Sequence, residues 1–124
     1  MLWGRGVIGR GRIDWLFYPP FIIDFRGVSM ERLFESGGLY LTRGVNDLIA
    51  EKKEFAQFIT RSLQKHLSGD WGEMCQEDKF ANDQATKQGN LRIFSAYEHD
   101  GLPKIWIITE ANRSATTILF PDEY

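Results

Sequence analysis

Four side chains able to do chemistry fall within ten residues of this chain: His66, Asp70, Glu73 and Cys75. The last three belong to the run Ser68-Gly69-Asp70-Trp71-Gly72-Glu73-Met74-Cys75. A thiol nucleophile needs a base to take its proton and a third group to orient that base, roles that Cys75, His66 and Asp70 could fill. A helix N-terminus beside Cys75 would further favour the thiolate. The same residues also have structural uses. Gly69 stands where a helix ending near Leu67 wants a left-handed residue. Asp70 stands where the next helix wants an N-cap, and Glu73, three residues on, completes a capping-box spacing. Cys75 fits the buried side of that helix as a small hydrophobe. The structural assignment is the simpler one, so no catalytic residue is assigned. His66, His99 and Cys75 show neither HxxxH nor CxxC spacing, and neither a metal nor a cofactor is implied. Trp71 is left over, as core under the corner or as an exposed contact beside Asp70.

Gly4-Arg5-Gly6-Val7-Ile8-Gly9 spells the dinucleotide fingerprint GxGxxG. That motif needs a strand before it and a helix after it. Only three residues precede it, and no helical pattern follows before Pro19-Pro20, so it is rejected.

The elements that must position these groups come next. Leu39 to Thr42 is a short strand candidate, and Gly44 turns it into a helical stretch from Val45 to Ala50. Phe55, Phe58, Ile59, Leu63 and Leu67 recur at helical spacing from about Lys52 to Leu67. A wetter helix is expected from about Trp71 to Lys87. The period then changes to two: Leu91 to Tyr97, an Asp100-Gly101 hairpin signal, Lys104 to Glu110, a turn at Ala111-Asn112-Arg113-Ser114, and Ala115 to Phe120. The expected fold is α+β, in the order β-α-α-α-β-β-β. A three- to four-stranded antiparallel sheet, with a C-terminal meander, carries two to three helices on one face. Leu39 to Thr42 would lie at an edge or beside the last strand.

At 124 residues, 43% hydrophobic and 14% aromatic, the chain suffices for one packed domain. Arg5, Arg10, Arg12 and Arg26 against Asp14 and Asp24 give residues 1–29 a net charge of +2, which leaves −4 for residues 30–124. Met30 offers a second start, and Arg26-Gly27 is encodable by a purine-rich stretch resembling a ribosome-binding site. Residues 1–29 are therefore expected to be a disordered or non-native leader, and 30–124 a single domain. The apolar run from Trp15 to Ile23 is too short to span a bilayer and lacks a signal-peptide cleavage site. With one cysteine and no signal segment, the expected location is the reducing cytoplasm. An overall charge of −2 with no basic stripe disfavours grip on nucleic acid through phosphates.

Several blocks together, LTRGVNDLI at 41–49, SGDWGEMC at 68–75, RIFSAY at 92–97 and KIWIITEANRSATTILFPDEY at 104–124, resemble a small bacterial family labelled only "plasmid-related protein". The resemblance covers about residues 39–124. It implies a cytoplasmic accessory of plasmids or integrated mobile elements, in maintenance, transfer or interplay with host defence, and it carries no activity with it.

Two functional classes compete. The element order is similar to that of RelE-like ribosome-dependent mRNA endonuclease toxins, for which Arg92, Lys104, Arg113 and Tyr124 would be the working residues. The acidic balance opposes entry to a phosphate-lined site. The favoured reading is a non-enzymatic binding module for a protein partner, with Trp71, Asp70, Arg113, Asp122, Glu123 and Tyr124 as its candidate contact residues. Phe120 would anchor the chain end in the core while Asp122, Glu123 and the terminal carboxylate concentrate negative charge, which suits an Arg- or Lys-rich partner.

Overall fold

The computed structural model describes residues 32–124 and, nearer the N-terminus, the backbone of two strands, β1 (Leu2–Val7) and β2 (Arg12–Phe17). The expectation of a leader ending before Met30 falls largely on residues outside those described. The remaining elements are β3 (Gly38–Thr42), α1 (Arg43–Glu51), α2 (Lys53–Ser68), α3 (Gln76–Gln88), β4 (Ile93–His99), β5 (Leu102–Thr109), β6 (Ala115–Leu119) and a closing 3-10 turn, Pro121–Glu123. The chain is α+β, and from β3 onward the order is β-α-α-α-β-β-β.

The sheet is mixed, where a purely antiparallel one was expected. Its order is β1-β2-β3-β6-β5-β4. Strands β4, β5 and β6 form the antiparallel meander, while β3 runs parallel to β6, with Leu41 opposite Ile118. The direction follows from where the two strands end. Thr42, at the end of β3, donates its hydroxyl to Glu123 Oε1 just past β6, at 2.7 Å. Both strands therefore finish at the same end of the sheet.

Period-two alternation divides the strands between two faces. Leu41, Tyr97, Ile105, Ile107 and Ile118 point toward the helices and meet Phe55, Phe58, Ile59, Leu63 and Leu67 of α2 in the main core. Each such fully buried aliphatic or phenyl side chain contributes roughly 1.5–3 kcal/mol relative to exposure. On the other face Ile108 and Leu119 are buried beside half-buried Phe94, Trp106 and Tyr124.

Helix boundaries depart from expectation in two places. Gly44 does not turn the chain into α1. It lies within the helix, whose N-cap is Thr42, accepting the Val45 N–H at 3.3 Å. The larger correction concerns α3, which begins at Gln76 and not near Trp71. Gly69 does close α2, with φ +94 and its N–H on the Lys65 carbonyl. Asp70 then caps no helix. Its Oδ1 accepts the Gly72 N–H at 3.2 Å in a local turn. Glu73 makes no capping box, because its N–H donates to the Ala96 carbonyl at 2.7 Å. Ala96 N–H reaches back to the Trp71 carbonyl at 3.4 Å, and Gly72 lies parallel to Ala96. The segment thus covers the outer edge of β4, which would otherwise offer unpaired backbone groups to another chain. Cys75 takes the N-cap position of α3 without a side-chain bond, and it is exposed where burial was expected.

Candidate functional site

His66 decides the thiol reading. Its Nδ1 lies 2.5 Å from Ser95 Oγ and its Nε2 2.9 Å from Thr109 Oγ1, and all three residues are fully buried. The proton directions follow from the far end of the chain. Thr116 donates to the Ser36 carbonyl at 2.7 Å, so it must accept from Thr109, which lies 2.7 Å away. Thr109, its one proton spent, accepts from His66 Nε2–H, and Nδ1 accepts from Ser95. Burial holds this neutral imidazole at a pKa of about 3, far below the usual 6.5. With both ring nitrogens engaged, none is left to take a proton from Cys75.

Trp71 belongs to the same interior. It is 3% exposed, donates Nε1–H to Asp83 Oδ1 at 2.9 Å, stacks on Phe34 at 6.2 Å and meets the His66 ring edge-on at 5.9 Å. Of the two roles open to it, the structure gives it the core. Beside it, Tyr97 donates its hydroxyl to the Asp70 carbonyl at 2.7 Å, and burial holds that phenol above its usual range. Arg113 is half-buried and turned onto backbone carbonyls. Its Nη1 donates to the Leu91 carbonyl at 2.7 Å and its Nη2 to the Ala85 carbonyl at 2.8 Å, with the guanidinium over the Phe34 ring.

The end of the chain behaves differently. Glu123 Oε1 accepts from Thr42 and also from the Phe120 N–H at 2.8 Å. Tyr124 lies edge-on to Trp106 at 5.6 Å, and its hydroxyl accepts from Arg92 Nη1 at 2.9 Å. Arg92 also pairs with Glu110 at 3.8 Å. The Phe120–Glu123 bond brackets Pro121 and Asp122, and with Tyr124 packed beyond them they form one wall of an open cleft of about 590 Å³.

The opposite wall is a single stripe of α1: Gly44, Asp47, Leu48 and Glu51, spaced as one helix face. Pro103 and Lys104 of β5 close the third side, and Phe120, tilted against Phe55 at 5.9 Å, sits at the base. The apolar groups are Leu48, Pro103, Phe120 and Pro121. Around them stand the exposed carboxylates of Asp47, Glu51 and Asp122. Among the described residues none of the three has a hydrogen-bond or ion-pair partner. Lys104, the one cation among the described residues of the lining, is drawn toward Glu98 on β4, at 3.8 Å.

Of the six residues expected to make contacts, the structure therefore brings Asp122 to the cleft and uses Glu123 and Tyr124 to hold it there. Asp70 and Arg113 lie elsewhere, and Trp71 is interior. Asp47, Leu48 and Glu51 were not singled out from the sequence. Their signal was two carboxylates four residues apart flanking a leucine, a pattern shared with any solvated helix face.

Among the described residues no three His, Cys, Asp or Glu side chains converge so as to hold a metal ion, and no helix is long and apolar enough to cross a membrane. Comparison with protein-family models, curated proteins and solved structures finds no match to this chain.

Proposed function

We propose that this chain is a non-enzymatic binding module that acts through contact with a protein, as a cytoplasmic accessory of a plasmid or integrated mobile element. The second half of that statement rests on the resemblance of residues 39–124 to the plasmid-related family. The first rests on one observation, the open cleft between α1 and the C-terminal turn, which sets three carboxylates, unpaired among the described residues, around the outer surface of Leu48 and Phe120, whose inner sides pack on the core. Ligand sites are concave, largely apolar and furnished with a few polar groups, and this cleft has that character.

The test is site-specific cross-linking in the native host. A photoreactive residue at Asp47 should capture a defined protein, and the same residue at Lys87, exposed on α3, should not. A chain ending after Phe120, which lacks the Asp122 wall, should lose the capture. An identical partner set from all three forms would sink the proposal.

The toxin reading draws one supporting observation from the structure, the Arg92 guanidinium set against the Tyr124 hydroxyl. Against it weigh the engagement of Arg113 with backbone carbonyls and of Lys104 with Glu98. Arrest of translation on expression that disappears with Arg92→Ala would favour it over the binding module.

A further inference from the structure

We infer that the cleft takes a segment of the partner in which an arginine or lysine stands beside an apolar residue, the cation being read by Asp47, Glu51 and Asp122 while the apolar neighbour sits against Leu48 and Phe120. This rests on the binding-module reading and names its ligand chemistry. Three features select a cation. The three carboxylates ring an apolar base and are unpaired among the described residues. Glu51 is the last residue of α1, where the negative pole of the helix adds to its charge. Lys104, the one lysine among the described lining residues, has its own charge shared with Glu98, so it offsets the rim only in part.

Two features select an organic cation on a peptide over a bare ion. The carboxylates do not converge in a metal-holding group. Between them lies apolar surface that a metal ion would leave wet and a thin polyamine chain would cover only in part, whereas a branched aliphatic side chain next to an arginine would fill it. The long stems of arginine and lysine are themselves apolar and can lie along Leu48 while the head reaches a carboxylate. Planar guanidinium can also take a carboxylate with two parallel bonds, which favours arginine over lysine.

The experiment uses the full chain and a short fluorescent peptide of alternating arginine and leucine. Its citrulline counterpart, its serine-for-leucine counterpart and spermidine serve as controls. The arginine–leucine peptide should bind, weaken as salt rises, and outbind both counterparts. Glu51→Gln and Asp122→Asn, both at exposed positions, should each weaken it by about two- to five-fold, and Lys104→Gln should tighten it by a similar factor. The gain on removing Lys104 is an outcome that damage to the fold would not produce. Equal affinity for the citrulline peptide, full competition by spermidine, or no binding by any peptide overturns the inference. Capture from Asp47 in the native host would then still stand for a protein partner of other chemistry. Loss of that capture too would remove the binding module itself.

Discussion

Thr42 Oγ1 and Glu123 Oε1 lie 2.7 Å apart across eighty-one residues of sequence. The same hydroxyl oxygen accepts the Val45 N–H that opens α1, and the same carboxylate oxygen accepts the Phe120 N–H. One hydroxyl thus joins a helix cap to the chain end and sets the two walls of the cleft relative to each other. Thr42→Val keeps the shape and removes both bonds. It should cost about 1–2 kcal/mol in urea unfolding, and Thr42→Ser should recover most of the loss. A valine variant as stable as the parent would show that the cap carries no weight.

The buried imidazole of His66 makes stability depend on pH. Its folded pKa of about 3 lies below its ordinary value of 6.5, so between those limits the unfolded chain binds the extra proton. Stability therefore rises with pH through that window, is fully present above about pH 6.5, and is lost as the pH falls toward 3. A single proton sets a limiting slope of about 1.4 kcal/mol per pH unit. Urea midpoints measured from pH 4 to 7 should fall on the acid side, and the fall should shrink in a His66→Gln variant. A midpoint independent of pH across that range would contradict the buried neutral ring.

Gly72 and Gly89 separate backbone cost from edge contact. Both are left-handed, with φ of +71 and +73, but a Cβ on Gly72 would stand 2.1 Å from the Ala96 carbonyl oxygen, whereas one on Gly89 meets nothing within 4 Å. Gly89→Ala should therefore lose only the conformational part, about 1 kcal/mol. Gly72→Ala should lose about 2–4 kcal/mol and should free the edge of β4, so that exchange of the Glu73 amide hydrogen quickens. Equal losses at the two positions would remove Trp71–Glu73 as a cover for the sheet edge.

Local pattern explains what was legible in the sequence. The stripe from Phe55 to Leu67 announces α2 because every member is buried against one sheet face. The Asp100-Gly101 signal announces its hairpin because Gly101 takes the positive φ such a turn requires, here +80. What stayed hidden depends on contacts far apart in sequence or on letters with two meanings. Nothing near Leu39 says that β3 will run parallel to β6. The Asp70 and Glu73 spacing serves a capping box or, as here, a turn that lays Gly72 along Ala96, and only the position of β4 decides between them. The cleft has no single signature because its walls come from α1, β5 and the chain end. Of these, only Asp122 belonged to the predicted contact patch.

Arg113 carries the last prediction, because its position in a polar turn suggested an exposed contact and its bonds say otherwise. It is the one non-glycine residue with positive φ among the described residues, at +60. From there its guanidinium joins the Ala85 carbonyl, near the C-terminal end of α3, to the Leu91 carbonyl before β4. Ala85 also receives the Gly89 N–H that closes the helix, so a cation there favours the helix's negative pole as well. The bonds to Ala85 and Leu91, with two more to the Glu110 and Ala111 carbonyls of its own turn, make Arg113→Ala cost about 2–4 kcal/mol. Arg113→Lys should recover little, since one ammonium cannot span both carbonyls with the fork of a guanidinium. If Arg113 were instead a surface contact, thermal unfolding of the alanine variant would match the parent while its partner binding fell. If it is the clamp described, the melting temperature falls in both variants, and arginine–leucine peptide affinity per folded molecule stays unchanged.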